Sequence, residues 1–373
     1  MKVSFFETAR YLVPNARVAE WPVPAGISEP EGSAGAYSAM IERLQCVEDF
    51  GFDWVSFSEH HYSPRILTPA PILSATYAGA RLQKINIAVL GPIVPQRNPV
   101  AVAEELAMLD NLTQGRLRVG LLRGTTNELL TYHLKPEEAR ERTTEGMELI
   151  LKAWTEPQPF GWQGRHYQFR TVSVWPRPLQ QPYPPTYALG TSRESCEFGA
   201  KHHLGLGASF APYDLVCKAT QYYRGQCAEY GWEPEPEQIV YRANIVLGKT
   251  DEEADEAMER QRGGGAPFPV QSVVNEALTK LDQRNVAGIP REANIGGAGL
   301  LTQFHGSPDT VVEQLKRAGD EVGCGIIDLG FNNAAAGGSE ALMQSLELFA
   351  EKVLPRVHAI WRRHSGIRSP RLP

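Results

Sequence analysis

The sequence predicts an α/β chain folded as a (β/α)8 TIM barrel with an insertion after strand 7. Three observations carry that expectation. Eight short apolar, β-favouring segments alternate with segments of helical periodicity, the pattern of a parallel sheet wrapped by its crossover helices. Polar side chains able to do chemistry follow directly after several of the apolar segments, and in a parallel barrel the strand C-termini form the chemical face. The competing arrangement is an open doubly wound sheet, and the first turn lacks the G-x-G-x-x-G fingerprint that would favour it.

Composition narrows the class. The chain has 373 residues, a length that α/β barrels often reach as one unit. A net charge of -6 does not mark a nucleic-acid binder. No apolar run reaches membrane-spanning length. The start, Met1 to Glu7, is interrupted by charge too early for a signal peptide and reads as a strand. Cys46, Cys196, Cys217, Cys227 and Cys324 are scattered without metal-ligand spacing, which predicts reduced, buried thiols in a cytoplasmic protein. No HExxH or Ser-His-Asp elbow is visible, and no metal is expected.

Taken in order, residues 2–7 are predicted as strand 1, followed by a Pro- and Gly-rich loop from Thr8 to Gly35. Residues 36–50 have Met40, Leu44 and Val47 on one face and read as a helix ending before Gly51. Trp54, Val55 and Phe57 suit a buried strand 2. A helix is expected around Ile72–Ala80. Residues 85–90 form strand 3, buried on both sides. Pro99 opens a helix whose stripe is Val102, Leu106 and Leu109. Residues 116–122 are strand 4, and 136–154 a helix with early acidic residues.

Residues 155–185 read as an irregular packed excursion, with Trp162, Tyr167 and Trp175 as packing residues. Strands 5, 6 and 7 are expected at 186–190, 204–209 and 239–247, with helices at 192–203, 212–230 and 250–262. Residues 263–304, flanked by glycines, break the pattern and are expected to form a mobile lid over the mouth. Ser307-Pro308-Asp309 caps a further helix, residues 325–331 are strand 8, and 339–354 the last helix. The domain is thus expected to span 1–355, with a basic tail over 356–373.

Two constellations carry chemistry. Strand 2 runs into Glu59-His60-His61, and an imidazole such as His60, beside Glu59, can exchange a proton near neutral pH. Gly190-Thr191-Ser192-Arg193-Glu194-Ser195 opens a predicted helix. Its hydroxyls and amides suit an anion such as phosphate, and Arg123 after strand 4 can add a charge-assisted bond.

Several stretches together resemble the bacterial-luciferase-like, flavin-dependent monooxygenases: Gly51 to His61, Asn98-Pro99 to Asp110, Gly115 to Gly124, Pro176 to Pro185 and Gly306 to Asp309. The resemblance covers roughly residues 1–355. It implies a (β/α)8 barrel that binds reduced FMN at the C-terminal mouth and uses O2 to oxygenate a small organic substrate. It places the active-site histidine on His60, and phosphate-binding arginines on Arg123 and Arg142. It places the phosphate loop on Thr191, Ser192 and Ser195, and the pair beside the isoalloxazine on Ser209 and Phe210. An irregular, often cis, peptide at the end of strand 3 falls at Gly91-Pro92, where a cis bond is expected.

Two departures from luciferase itself stand out. Leu122 replaces a cysteine before the arginine, and Thr191 replaces an acidic residue. Both argue against light emission from a long aldehyde and leave oxygen transfer open. The expected partners are an NAD(P)H:flavin reductase, O2 and a second copy in a homodimer. The alternatives are a deazaflavin-dependent dehydrogenase of related fold and a non-catalytic flavin-binding subunit.

Overall fold

β1 (Lys2–Phe6) lies between β2 (Trp54–Phe57) and β11 (Ile326–Phe331), parallel to both, with Ser4 opposite Trp54 on one side and Asp328 on the other. The structure, a computed structural model, describes residues 1–13, 22–263, 302–331 and 334–364. From β2 the parallel ladder continues through β3 (Asn86–Ile93), β4 (Leu117–Leu122), β7 (Thr186–Leu189) and β8 (Gly205–Ser209) to β9 (Ile239–Leu247). β9 pairs with both β8 and β11, so the eight strands close into a ring and leave no open edge. Closure excludes the open doubly wound sheet.

The helices fill the gaps between strands: α1 (Pro30–Asp49), α2 (Pro71–Gly79), α3 (Pro99–Leu112), α4 (Thr126–Thr131), α5 (Pro136–Thr155), α6 (Arg193–Lys201), α7 (Tyr213–Glu229) and α8 (Asp251–Gly263). Their apolar stripes face the barrel wall. Met40, Leu44 and Val47 of α1 are buried at helical spacing, as are Val102, Leu106 and Leu109 of α3. Burial of each such side chain contributes about 1.5–3 kcal/mol. Asn98 caps α3 by accepting from the Val100 and Ala101 amides, which have no acceptor within the first turn, and Pro99 takes the first helical position, where no N–H is needed.

Inside the ring, the alternation of strand side chains builds layers. Trp54, Ile326 and Val240 belong to an apolar layer with Leu90 and Tyr187. Two residues further along each strand, Ser56, Asp328 and Arg242 form a buried polar layer nearer the mouth.

Several elements differ from the sequence reading. α1 begins at Pro30, not residue 36, because Pro30 at the first turn can open a helix even ahead of Gly32 and Gly35. The 155–185 excursion contains an antiparallel hairpin, β5 (Phe160–Gln163) and β6 (Gln168–Val172), whose strands are too short and mixed to show a clear alternation. Trp175 is not a packing residue; it is 81% exposed.

The insertion after β9 ends in a further strand, β10 (Thr302–Gly306), parallel to the C-terminal half of β9. The rest of the expected lid, residues 264–301, lies outside the described residues. After α9 (Pro308–Glu321), β11 and α10 (Ala334–Lys352), the chain does not become a tail at 356. Leu354–His364 is a helix, α11, which buries Val357 and sets His358 Nε2 2.8 Å from Asp53 Oδ2. Residues 365–373 of the expected tail lie outside the described residues.

The expected cis bond is one residue out of place. The peptide that is cis is Leu90–Gly91, not Gly91–Pro92; Trp175–Pro176 and Gln181–Pro182 are also cis. At Gly91 an added Cβ would collide with the Gly120 carbonyl oxygen of β4. The tight passage therefore centres on the glycine rather than on the proline.

Candidate active site

The loops after β1, β2, β3 and β4 meet at the C-terminal mouth. Main-chain bonds tie the first two together: Leu67 N–H donates to the Thr8 carbonyl and Tyr11 N–H to that of Pro64, each at 2.9 Å. Glu7 anchors the start of the first loop. Its carboxylate receives the Thr8 and Ala9 amides and a two-pronged contact from buried Arg43.

The Glu59-His60-His61 run leaves β2 in two directions. Glu59 and His61 point the same way and His60 the other, as alternate residues of an extended segment do. Glu59 Oε1 lies 3.1 Å from His61 Nε2, and Glu59 Oε2 accepts from the Ile93 amide at 3.1 Å. Both side chains are buried. Glu59 is therefore not the partner of His60; it joins the ends of β2 and β3. His60 Nδ1 instead lies 3.0 Å from Glu128 Oε1, on α4. Glu128 carries no local motif and was missed in the sequence. Tyr132 lies edge-on to His61, 5.2 Å ring to ring.

Below them sits the buried polar layer, also missed. Arg242 Nε donates to Asp328 Oδ2 at 2.6 Å and Arg242 Nη2 to Ser56 Oγ at 3.1 Å. Ser56 Oγ in turn donates to Asp328, and Arg242 Nη1 to the Leu90 carbonyl. The guanidinium lies over the Phe6 ring, 4.1 Å from its centre. A single alternating position on each of three strands is too weak a signal to reveal such a cluster.

The predicted anion site forms a helix start. Ser192 caps α6: its Oγ receives the Ser195 amide at 3.2 Å and lies 3.1 Å from Ser195 Oγ. At Gly190, with φ of +143°, an added Cβ would approach Ser195 Oγ to 2.7 Å, so the turn needs glycine. The amides of Thr191, Ser192 and Arg193 donate to no protein acceptor among the described residues. Such open amides at a helix start suit an anion.

Arg123 follows directly at the end of β4, the strand next to β7. Arg142, on α5, has contacts of its own. Its Nε donates to the Pro95 carbonyl at 3.4 Å, and its guanidinium lies over Tyr167. The arginine of α5 that reaches α6 is Arg140, 2.7 Å from Glu194, because residues two apart leave opposite sides of a helix.

Ser209 is exposed at the end of β8, and Phe210 follows with its ring 5.7 Å from Phe6. Gly91 lies across the barrel at the end of β3. A cavity of about 230 Å³ lined by Tyr183, Tyr187, His203 and Gln238 lies at the opposite, N-terminal end. Among the described residues, no cluster of His, Cys, Asp and Glu is arranged to hold a metal ion.

The open amides and hydroxyls at the α6 start, with Arg123 at the end of the neighbouring strand β4, suit a phosphate-bearing cofactor. The fold and this mouth define an α/β barrel with an open, anion-binding helix start at its C-terminal face. The chain belongs to the luciferase-like monooxygenase family, whose pattern it matches over residues 19–323.

The chain is 24% identical over 275 residues to the oxygenase component of the flavin-dependent trigonelline monooxygenase of Acinetobacter baylyi, covering 71% of this chain and 75% of that one. It spans little more than half the length of other curated relatives it matches. Among solved structures, the monooxygenase RslO1 of Streptomyces bottropensis superposes with a TM-score of 0.71 at 24% identity, over 95% of this chain and 99% of that one. An F420-dependent secondary alcohol dehydrogenase in complex with an F420-acetone adduct superposes with a TM-score of 0.69 at 16% identity, over 95% and 98%.

Proposed function

We propose that this protein is the oxygenase component of a two-component system. It takes reduced FMN from a separate NAD(P)H:flavin reductase and uses O2 to oxygenate a small organic substrate. The observation that carries this reading is the pairing, at one mouth, of an open helix start after β7, the strand next to the one that ends at Arg123, with a part-exposed histidine held by a carboxylate. Reduced FMN supplies the two electrons that let one oxygen atom enter the substrate while the other leaves as water.

The chain's own residues bind and orient. Thr191, Ser192, Ser195, Arg123 and Arg142 hold the phosphate, with Arg140 set beside the same helix turn through Glu194. Gly91, Ser209 and Phe210 flank the ring system. His60 holds or moves a proton at Nε2. Leu73 and Tyr77 of α2 and Met108 and Leu112 of α3 are exposed apolar residues on neighbouring helices, which supports a homodimer through this face. All five cysteines are free, which supports the cytoplasm. Among the described residues no helix is long and apolar enough to cross a membrane.

The test is an anaerobic titration with reduced FMN and with reduced F420, followed by admission of O2 while oxygen uptake and hydrogen peroxide are recorded. The expected result is preferential FMN binding and altered oxygen reactivity of the bound flavin. Preference for F420 with hydride transfer from an alcohol would establish a dehydrogenase. FMN binding without any change in oxygen reactivity would establish a non-catalytic subunit.

A further inference from the structure

Two histidine–glutamate pairs sit side by side at the mouth, and they differ in one respect. In the His61–Glu59 pair every member is closed off: both side chains are buried, and the second Glu59 oxygen is taken by the Ile93 amide. In the His60–Glu128 pair the histidine side chain is 27% exposed, while Glu128 is 4% exposed. Glu128 Oε2 is buried and has no hydrogen-bond partner among the described residues. Among the described residues, His60 Nε2 also has none. One pair is structural packing, and the other is a buried carboxylate behind an accessible ring.

From this geometry we infer that Glu128 is a positioning residue for the chemistry of His60, an inference that rests on the oxygenase reading above. A carboxylate can only accept, so the 3.0 Å contact keeps a proton on Nδ1. In a neutral imidazole the lone pair then lies on Nε2, the nitrogen left to the mouth. When Nε2 takes a proton, the charge on the ring is faced by a carboxylate whose second oxygen is otherwise unused. When Nε2 returns that proton, the same contact restores the starting tautomer.

The surrounding chain holds Glu128 in place. Gln96 Nε2 donates to its backbone carbonyl, and the Leu129 amide donates to the Thr125 carbonyl at 3.1 Å. Gly124, with φ of +89°, lets the chain turn from β4 into α4; an added Cβ would sit 2.9 Å from Ile93 and 3.3 Å from the Glu128 Cβ. The loop after β4 thus delivers Glu128 to the end of β2.

The test needs neither flavin nor substrate. Long-range proton–nitrogen NMR of the 15N-histidine protein, at a pH where the His60 ring is neutral and with the signal assigned through His60→Gln, reads the tautomer directly. The expected spectrum has a protonated Nδ1 and an unprotonated Nε2 in the native protein, with a shift toward the Nε2–H form in Glu128→Leu. A native ring protonated at Nε2, or a tautomer unmoved by Glu128→Leu, overturns the assignment.

Glu128→Gln, close in shape, serves if the leucine variant fails to fold. In turnover it should lower kcat by about 10²-fold, the scale of a misdirected acid–base group. KM and the Kd for FMN should change less than about threefold. An unchanged kcat overturns the role even if the tautomer is as expected. If the protein proves to have no oxygenase activity, the NMR result still stands or falls alone, so the two failures are distinguishable.

Discussion

Asp328 grips Arg242 at 2.6 Å inside the barrel, between strands β9 and β11, and both side chains are almost wholly shielded from water. The pair links Ser56 and the Leu90 carbonyl into one network under the mouth. Removing one partner would strand a buried charge. Asp328→Ala should therefore destabilise the fold by about 3–5 kcal/mol. The combined Asp328→Leu, Arg242→Met variant should recover much of that loss. Urea unfolding of the single and double variants checks both, and a near-neutral Asp328→Ala would show that water reaches the guanidinium.

Arg123 is expected to act on the cofactor phosphate. A charged hydrogen bond contributes roughly 1.5–3 kcal/mol, so Arg123→Ala should weaken FMN binding by about one to two powers of ten. Riboflavin, which lacks the phosphate, should lose much less. Fluorescence titration of both ligands makes the comparison, and equal losses would place Arg123 elsewhere.

His60→Ala should fold normally and bind FMN nearly as well, because the proposed phosphate site lies at α6. Product formed per reduced FMN should fall by about 10²-fold or more, with hydrogen peroxide rising in its place. The ratio of product to peroxide, with a thermal melt alongside, decides it. Unchanged coupling in a stably folded variant would return His60 to a structural role.

Glu48 predicts an acid-sensitive joint between α1 and β3. Partial burial pushes its carboxyl up, but the amides of Ile85, Lys84 and Gln83 outweigh this and hold it below the ordinary value of 4.5. A depressed folded value means stability that is fully present above that ordinary value and lost as pH falls through the folded one. The gap in denaturation midpoint between the native protein and Glu48→Gln should be full at pH 7 and shrink below pH ~4. A gap independent of pH would contradict this.

Thiol labelling should be ordered by burial. Burial pushes the thiols of Cys196 and Cys324 up to about 12 and that of Cys227 up to about 11, so little thiolate exists at pH 8. In the native protein, iodoacetamide followed by peptide mass spectrometry should find Cys46 modified well before these three. Early modification of Cys196 or Cys324 would show that the α6–α7 or α9–β11 packing opens in solution.

What the sequence determined by itself was local. The short, near-continuous apolar runs of the eight strands, the stripe of Val102, Leu106 and Leu109, and the Gly190-Thr-Ser helix start are patterns within a few residues of one another, so backbone geometry alone exposes them. Tertiary structure decided everything that depended on ring closure. Glu128 meets His60 across 68 residues of chain, and Asp328 meets Arg242 across 86. Neither pair has a signal at short range. Nor could the run Glu59-His60-His61 show that alternate side chains would part, Glu59 binding the end of β3 and His60 facing the mouth. That division exists only once β2, β3 and the loop after β4 stand side by side, because pairing over such separations is set by the register of the barrel and not by the residues flanking each partner.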